Sequence, residues 1–290
     1  MMQRRHFSLA MGSALAALAM GAEADTPAAD SRIARALRRI EAESGGRLGV
    51  CILDTADGRR VGHRADECFP MCSTFKWLAA ALVLQRVDAG RETLERTLPI
   101  ERAAILPHSP LTEPRVGQRM PLAALCEAAI VQSDNAAANL LLDSFGGPAA
   151  LTAWLRALGD TLTRLDRTEP TLNEALAGDP RDTTTPGAML GLLHTLLLGD
   201  VLKPPSRERL RDWLVANQTG GLRLRAGLPA GWTVGDKTGA GAFGTNNDVA
   251  IVWPPGRPPL LVTAYLTQTK LSFSQSNGTL AAVGGLLPTL

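Results

Sequence analysis

Aromatic residues are few in this chain: six Phe, five Trp and one Tyr among 290 residues, or 4%. Such scarcity argues against a surface of stacking platforms for nucleic-acid bases. Charge of either sign is not in excess. Lys and Arg number 30 against 28 Asp and Glu, a formal net charge of +2, and the basic residues are scattered rather than gathered in a stripe. Neither nucleic acid nor an anionic membrane is implied as a partner. Histidine is sparse too: His6, His63, His108 and His194 lie far apart, with no His-x-His or His-x-x-x-His cluster. Cys51, Cys68, Cys72 and Cys126 form no Cys-x-x-Cys pair. The absence of zinc-type spacing speaks against a metallohydrolase, and no metal or organic cofactor is expected. Beyond the first 20 residues, no apolar run approaches the roughly 20 residues needed to span a bilayer.

The first residues read as a leader. Arg4-Arg5-His6-Phe7 precedes an apolar run from Leu9 to Met20, and Ala22-Glu23-Ala24 supplies small residues after it. That order describes a cleavable export signal over residues 1–24. Paired arginines with an aromatic two positions on resemble a twin-arginine signal, an ordinary secretory signal being the alternative. The mature chain would then begin near Asp25, soluble and periplasmic or secreted. Disulfides are permitted in that compartment, and the sequence leaves their pairing open.

A chain of this length holds one large or two modest domains. Ile33, Ala36, Leu37 and Ile40 recur at helical spacing over Ser31–Glu43, with Ser31 as a candidate N-cap. Leu48–Leu53 and Arg59–Gly62 read as strands joined by a Gly-ended turn. Lys76–Val87 is apolar on nearly every face, which marks a buried helix, and Gly90 is placed to end it. Further helices are expected over 122–131, 136–142, 149–158, 186–198 and 206–216. Arg164–Asp182 is charged and carries Pro170 and Pro180, so it reads as a long functional loop. Strands return over 232–237, 247–253 and 260–267, and a last helix over 275–287. The expected fold is α/β of the α+β type. An antiparallel sheet domain, residues 25–65 and 218–290, is flanked by terminal helices, and an all-α domain, residues 66–217, is inserted into it.

Four short motifs follow one another in order. Ser73-Thr74-Phe75-Lys76 puts a hydroxyl and an amine three apart on one helix face, where the amine can activate the hydroxyl. Alone it would more readily be a helix cap and a surface lysine. Ser133-Asp134-Asn135 precedes a helix, and by itself would be a cap. Glu169 and Asn173 set a carboxylate and an amide four apart in the long loop, able to fix one water between them. Lys237-Thr238-Gly239 lies on an expected strand, with an ammonium and a hydroxyl suited to a carboxylate and a glycine that admits close approach.

Together the four resemble the class A serine β-lactamases, from about residue 30 to the C-terminus. The resemblance implies a Ser73 acyl-enzyme opened from a β-lactam, deacylation by water activated by Glu169, and antibiotic resistance as the outcome. It implies Lys76 and Ser133 as proton-handling residues and the N–H groups of Ser73 and Ala240 as the oxyanion hole. Asn135 and Asn173 would meet the substrate, as would Lys237, Thr238 and Gly239. Arg167 and Asp182 would clasp the base of the loop. His108 stands where the family has an aromatic at the mouth of the site, Thr168 replaces another aromatic, and Asn246 replaces an arginine used for the substrate carboxylate. Arg223 is then the expected substitute donor. Cys72 precedes the nucleophile as in disulfide-bearing carbapenem-hydrolysing relatives, but Gly241 stands at the partner position. Partners are β-lactam substrates and inhibitors, and a monomer is expected. A DD-peptidase, a β-lactam sensor domain and an inactive binding protein are the rivals.

Overall fold

A computed structural model describes residues 26–290, so the reading of residues 1–24 as a leader lies outside the described residues. The first helix, α1, runs Thr26–Ser44 and buries Ile33, Leu37 and Ile40 along one stripe. Ser31 is inside this helix and is not its N-cap. Pro27, at home in a first helical turn, and the alanines after it carry the helix further upstream.

Two antiparallel strands follow, β1 (Arg47–Asp54) and β2 (Arg60–His63), with Val50 opposite His63 and Leu53 opposite Arg60. Gly58 closes their turn at a φ of 78°, a value that glycine adopts without a Cβ clash. Next comes a two-residue strand, β3 (Phe69–Pro70). A 3₁₀ turn, Cys72–Phe75, leads into α2 (Lys76–Asp88), whose residues Lys76 to Leu84 are all buried. A small ribbon of β4 (Thr97–Pro99) and β5 (Arg119–Pro121) crosses the surface before α3 (Leu122–Val131), α4 (Asn135–Phe145) and α5 (Gly147–Ala157). The long loop ends at β6 (Thr183–Thr184), which pairs with β3, and α6 (Pro186–Leu197) and α7 (Pro204–Val215) complete the helical layer.

The chain then returns to the sheet with β7 (Thr233–Ala240), β8 (Asn246–Trp253) and β9 (Leu260–Thr267), and α8 (Phe273–Gly284) packs behind it. α8 starts two residues before the sequence reading places it, because Ser272 and Gln275 form a reciprocal capping box. It stops at a Gly284-Gly285 pair instead of reaching Leu287, which falls in a separate 3₁₀ turn with Pro288.

The five-stranded antiparallel sheet has the order β2-β1-β9-β8-β7 and is built from two separated parts of the chain. Alternation along each strand feeds two apolar cores. Leu48, Val50 and Ile52 of β1 join Val262 and Ala264 against α1 and α8. Cys51, Ile251 and Tyr265 face the other way, toward Trp77 and the helical layer. β7 is the edge strand at the junction of the two layers. There Gly239 passes so close to the 3₁₀ turn that an added Cβ would lie 2.7 Å from the Met71 carbonyl.

Candidate active site

Ser73 sits in the 3₁₀ turn that feeds α2, one residue beyond a backbone of positive φ at Cys72 (45°). The first N–H groups of α2 and its dipole therefore point toward the hydroxyl. Two anchors hold this turn. Met71 N–H donates to the Asp182 carbonyl at 2.9 Å, and the Asn247 side chain donates to the Pro70 and Met71 carbonyls at 2.8 and 3.1 Å.

Ser73 Oγ donates to Glu169 Oε1 at 2.9 Å. Lys76 Nζ approaches the same carboxylate oxygen at 3.0 Å, with both side chains fully buried. The ammonium also donates to the Ser133 carbonyl at 2.7 Å and to Asn135 Oδ1 at 2.6 Å. Burial pushes the Lys76 ammonium below its usual range, while the charge of Glu169 pulls it back up. An uncompensated lysine here would be costly, so the pairing is what lets a charge persist in this place.

Glu169 is held on every side. Asn173 Nδ2 donates to its Oε2 at 2.5 Å, and Asn139 brackets its backbone, accepting from the N–H at 3.0 Å and donating to the carbonyl at 2.9 Å. At the base of the loop Arg167 Nε lies 2.6 Å from Asp182 Oδ2, and Asp182 Oδ1 accepts from the N–H groups of Asp166 and Arg167 at 2.7 and 2.9 Å.

Ser133 has a φ of 57°, which turns its hydroxyl between two lysines: Lys237 Nζ at 3.0 Å and Lys76 Nζ at 3.4 Å. Asp134 is the N-cap of α4, accepting from Ala137 N–H at 2.9 Å and from the N–H groups of Leu111 and Thr112 at 2.9 Å. Lys237 is completely buried although it lies on an edge strand. Burial pushes its ammonium well below the usual range, and the neighbouring Lys76 and Arg223 push the same way. Thr238 and Thr219 share a hydrogen bond of 2.5 Å between their hydroxyls.

Ser73, Ser133, Asn135, Asn173, Arg223, Thr238, Gly239, Ala240 and His108 line one cavity of about 400 Å³. His108 adopts a φ of 61° and is tied back by its Nε2 to the Gln132 carbonyl at 2.8 Å. A larger hollow of about 650 Å³ opens on the far side of the loop, bounded by Arg47, Leu176 and Gln268, and contains none of the reactive groups. Asn246 is buried and does not line the cavity; its Nδ2 donates to Asn277 Oδ1 at 2.9 Å. Arg223 reaches the same Asn277 oxygen, at 3.2 Å. Cys72 Sγ would lie 2.7 Å from a Cβ at Gly241, and no disulfide forms among the described residues.

Several participants are absent from the sequence reading. Asn139 carries a usable signal, since it stands one turn after Asn135 on the same helix face. Asn277, Thr219 and Phe273 carry none. Nor do Asp236 and Asp248, buried carboxyls pushed up by desolvation. The charge of Asp236 raises Asp248 further, while Arg225 Nε, at 2.6 Å, counters the effect at Asp236.

A serine whose hydroxyl donates to a carboxylate that a lysine shares, a second serine between two lysines, and cationic side chains close by can acylate and then deacylate a carbonyl substrate bearing an anionic group. A family model described as the β-lactamase enzyme family matches residues 32–287. The chain is 44% identical over 301 residues to β-lactamase L2 of Stenotrophomonas maltophilia, covering 100% of this chain and 99% of the relative. It is 47% identical over 251 residues to β-lactamase CTX-M-8 of Citrobacter amalonaticus, with 87% and 86% covered. Among solved structures, an ancestral (GNCA) class A β-lactamase superposes with a TM-score of 0.88 at 59% identity, over 88% of this chain and 98% of that one. With the geometry and these likenesses in agreement, the chain belongs to the class A serine β-lactamases.

Proposed function

We propose that this enzyme hydrolyses the β-lactam ring of penicillins and cephalosporins through an acyl-enzyme on Ser73, and so confers resistance to them. The observation that carries the reading is Glu169, whose one carboxylate touches the nucleophile through Oε1 and Asn173 through Oε2. The Ser73 proton passes to Glu169 as Oγ attacks the lactam carbonyl. The developing oxyanion is received by the N–H groups of Ser73 and Ala240. Ser133, held by Lys76 and Lys237, gives its proton to the departing nitrogen and is reprotonated by Lys76, which regains a proton from Glu169 across their 3.0 Å contact and leaves Glu169 a carboxylate again. Glu169 and Asn173 then orient a water, Glu169 takes its proton as the water oxygen attacks the ester carbonyl, and that proton returns to Ser73 Oγ as the Oγ–C bond breaks and the product leaves. Lys237, Thr238 and Arg223 meet the substrate carboxylate, while Asn135, Asn173 and Gly239 meet the acylamide side.

Arg167 and Asp182 serve this reading by keeping the Glu169 loop closed. The division of the chain into a sheet domain (residues 25–65 and 218–290) and an inserted helical domain (66–217) places the site at their seam. Among the described residues no helix is long and apolar enough to cross a membrane. Export by a twin-arginine leader to the periplasm, action as a monomer and independence from nucleic acid belong to the same proposal, on the sequence features already given. The test is turnover of a chromogenic cephalosporin by purified protein beyond one equivalent. Sustained hydrolysis supports the reading, whereas a single burst points to a DD-peptidase or a sensor, and no reaction to an inactive binder.

A further inference from the structure

Arg223 is 95% buried, and the donors it is seen to use all go to protein groups. Nη1 bridges two carbonyls, Gly239 O at 3.0 Å and Asn247 O at 2.6 Å. Nε donates to Asn277 Oδ1 at 3.2 Å. The Phe273 ring, at the first turn of α8, covers the guanidinium with its centroid 5.6 Å from Cζ. A donor meant only for a substrate carboxylate has no need of this harness.

The two bridged carbonyls belong to the groups that shape the oxyanion hole. Gly239 O and Ala240 N–H share one peptide plane, and that peptide is trans, since the one cis bond among the described residues is Glu169-Pro170. In a trans peptide the C=O and N–H point in opposite directions. Fixing Gly239 O on Arg223 therefore aims Ala240 N–H the other way. The second carbonyl is on Asn247, whose side chain holds Pro70 O and Met71 O just ahead of Ser73. One guanidinium thus ties together the backbone that presents both N–H donors.

We infer that Arg223 is a positioning residue for the oxyanion hole, orienting the Gly239–Ala240 peptide against the Ser73 turn, in addition to any contact with substrate carboxylate. The inference rests on the proposed β-lactam hydrolysis and on Ser73 and Ala240 as the oxyanion donors. Preorganised donors stabilise charge because they need no reorientation during reaction, so slackening one lowers affinity for anything tetrahedral at Ser73.

Phenylboronic acid reads this directly because it has no carboxylate. Its boron accepts the Ser73 Oγ electron pair as the hydroxyl proton leaves to Glu169, and a boron-bound oxygen enters the oxyanion hole. Arg223→Ala is expected to raise its inhibition constant roughly tenfold, a fraction of the loss on removing an oxyanion donor outright. Arg223→Lys keeps the charge but cannot bridge both carbonyls with a flat fork, so it should lose nearly as much. Both variants should lower kcat for benzylpenicillin as well as raise KM. If Arg223→Lys binds the boronate as wild type does, or Arg223→Ala stays within twofold, Arg223 acts only as a charge for the substrate and the inference is overturned. Should the alanine variant fail to fold, the lysine variant decides. Wild-type protein inert toward a chromogenic cephalosporin would instead overturn the proposed function, a separate outcome from active wild type with indifferent variants.

Discussion

Two carboxylates of one loop, Glu169 and Asp182, are both nearly removed from solvent yet face opposite duties. Asp182 closes the loop on itself, taking Arg167 and two backbone N–H groups as partners. All its neighbours satisfy it and none of them reacts. Glu169 closes the loop on α2, and its partners are Ser73, Lys76 and Asn173. Every one of those partners lines or borders the cavity. A buried carboxylate surrounded by inert donors stabilises structure, whereas one sharing its oxygens with a serine hydroxyl and a buried lysine has the partners that the proposed reaction needs. The contrast predicts that the two residues fail in different ways.

The largest effect should come from Glu169→Ala. Turnover is expected to fall about a thousandfold, in line with loss of a general base, while Lys76 can still take the Ser73 proton, so that a slowed acylation outruns deacylation. Intact-mass spectrometry should show a lasting adduct of one β-lactam. Multiple turnover at a near-native rate would erase the distinction between the two carboxylates.

Asp182→Asn should instead cost folding stability, about 2–3 kcal/mol, since it strips the charge from a buried ion pair and weakens bonds to two N–H groups. Denaturant melts measure this. An unchanged midpoint together with a collapse of kcat would place Asp182 with Glu169 after all.

The cationic rim should appear in the pH profile. Burial and the charges of Lys76 and Arg223 push Lys237 well below the ordinary lysine range. A depressed lysine loses its charge as pH rises through the lowered value, so KM for a carboxylate-bearing penicillin should climb about tenfold earlier in pH than a free lysine would allow. Thr238 remains as a neutral donor to the carboxylate and Lys76 as a donor to Ser133, so kcat should change less. A KM flat to pH 10.5 would show that Lys237 is not the group sensed.

The smallest effect belongs to a carboxylate remote from the site. Burial alone would raise Glu41, but Arg64, the Leu48 N–H and His63 outweigh it and hold it at about 2, from 4.5. A depressed carboxylate contributes its stability in full above the unfolded value and loses it as pH falls toward about 2. Glu41→Gln should therefore cost about 1 kcal/mol at pH 7 and nothing measurable near pH 2, followed by pH-dependent melting. Equal losses at both pH values would assign Glu41 a packing role.

The sequence made the reactive groups legible because each sits in a short motif with its own local geometry. Ser73 and Lys76 share a helix face, Asp134 caps α4, and Glu169 and Asn173 are one turn apart. Core strands and helices were legible through nearly unbroken apolar runs, as in β9 and α3. What stayed hidden depends on contacts between distant parts of the chain. Asn277 meets Arg223 and Asn246 only because α8 packs behind β8. Likewise, Asp236 and Asp248 face each other only through the pairing of β7 with β8, and nothing in either strand's own pattern marks a buried acid. Ser31 misled for a different reason: a good capping residue also fits inside a helix when favourable residues precede it.

The sheet carries a consequence for how the molecule comes into being. β1 pairs along its length with β9, Arg47 opposite Thr267 and Asp54 opposite Leu260. The chain must close a loop spanning from Asp54 to Leu260 before this central pairing forms, and that entropy is lost before the contacts reward it. Strand β7, which carries Lys237 and Ala240, joins the sheet only through β8, which in turn needs β9. A nascent chain that has synthesised its nucleophile, its loop and all of its helical layer thus still has no finished catalytic wall. Reactivity is a property of the last fifth of the polypeptide to emerge, and β1, paired on one side with β2, keeps its other edge open and aggregation-prone until then.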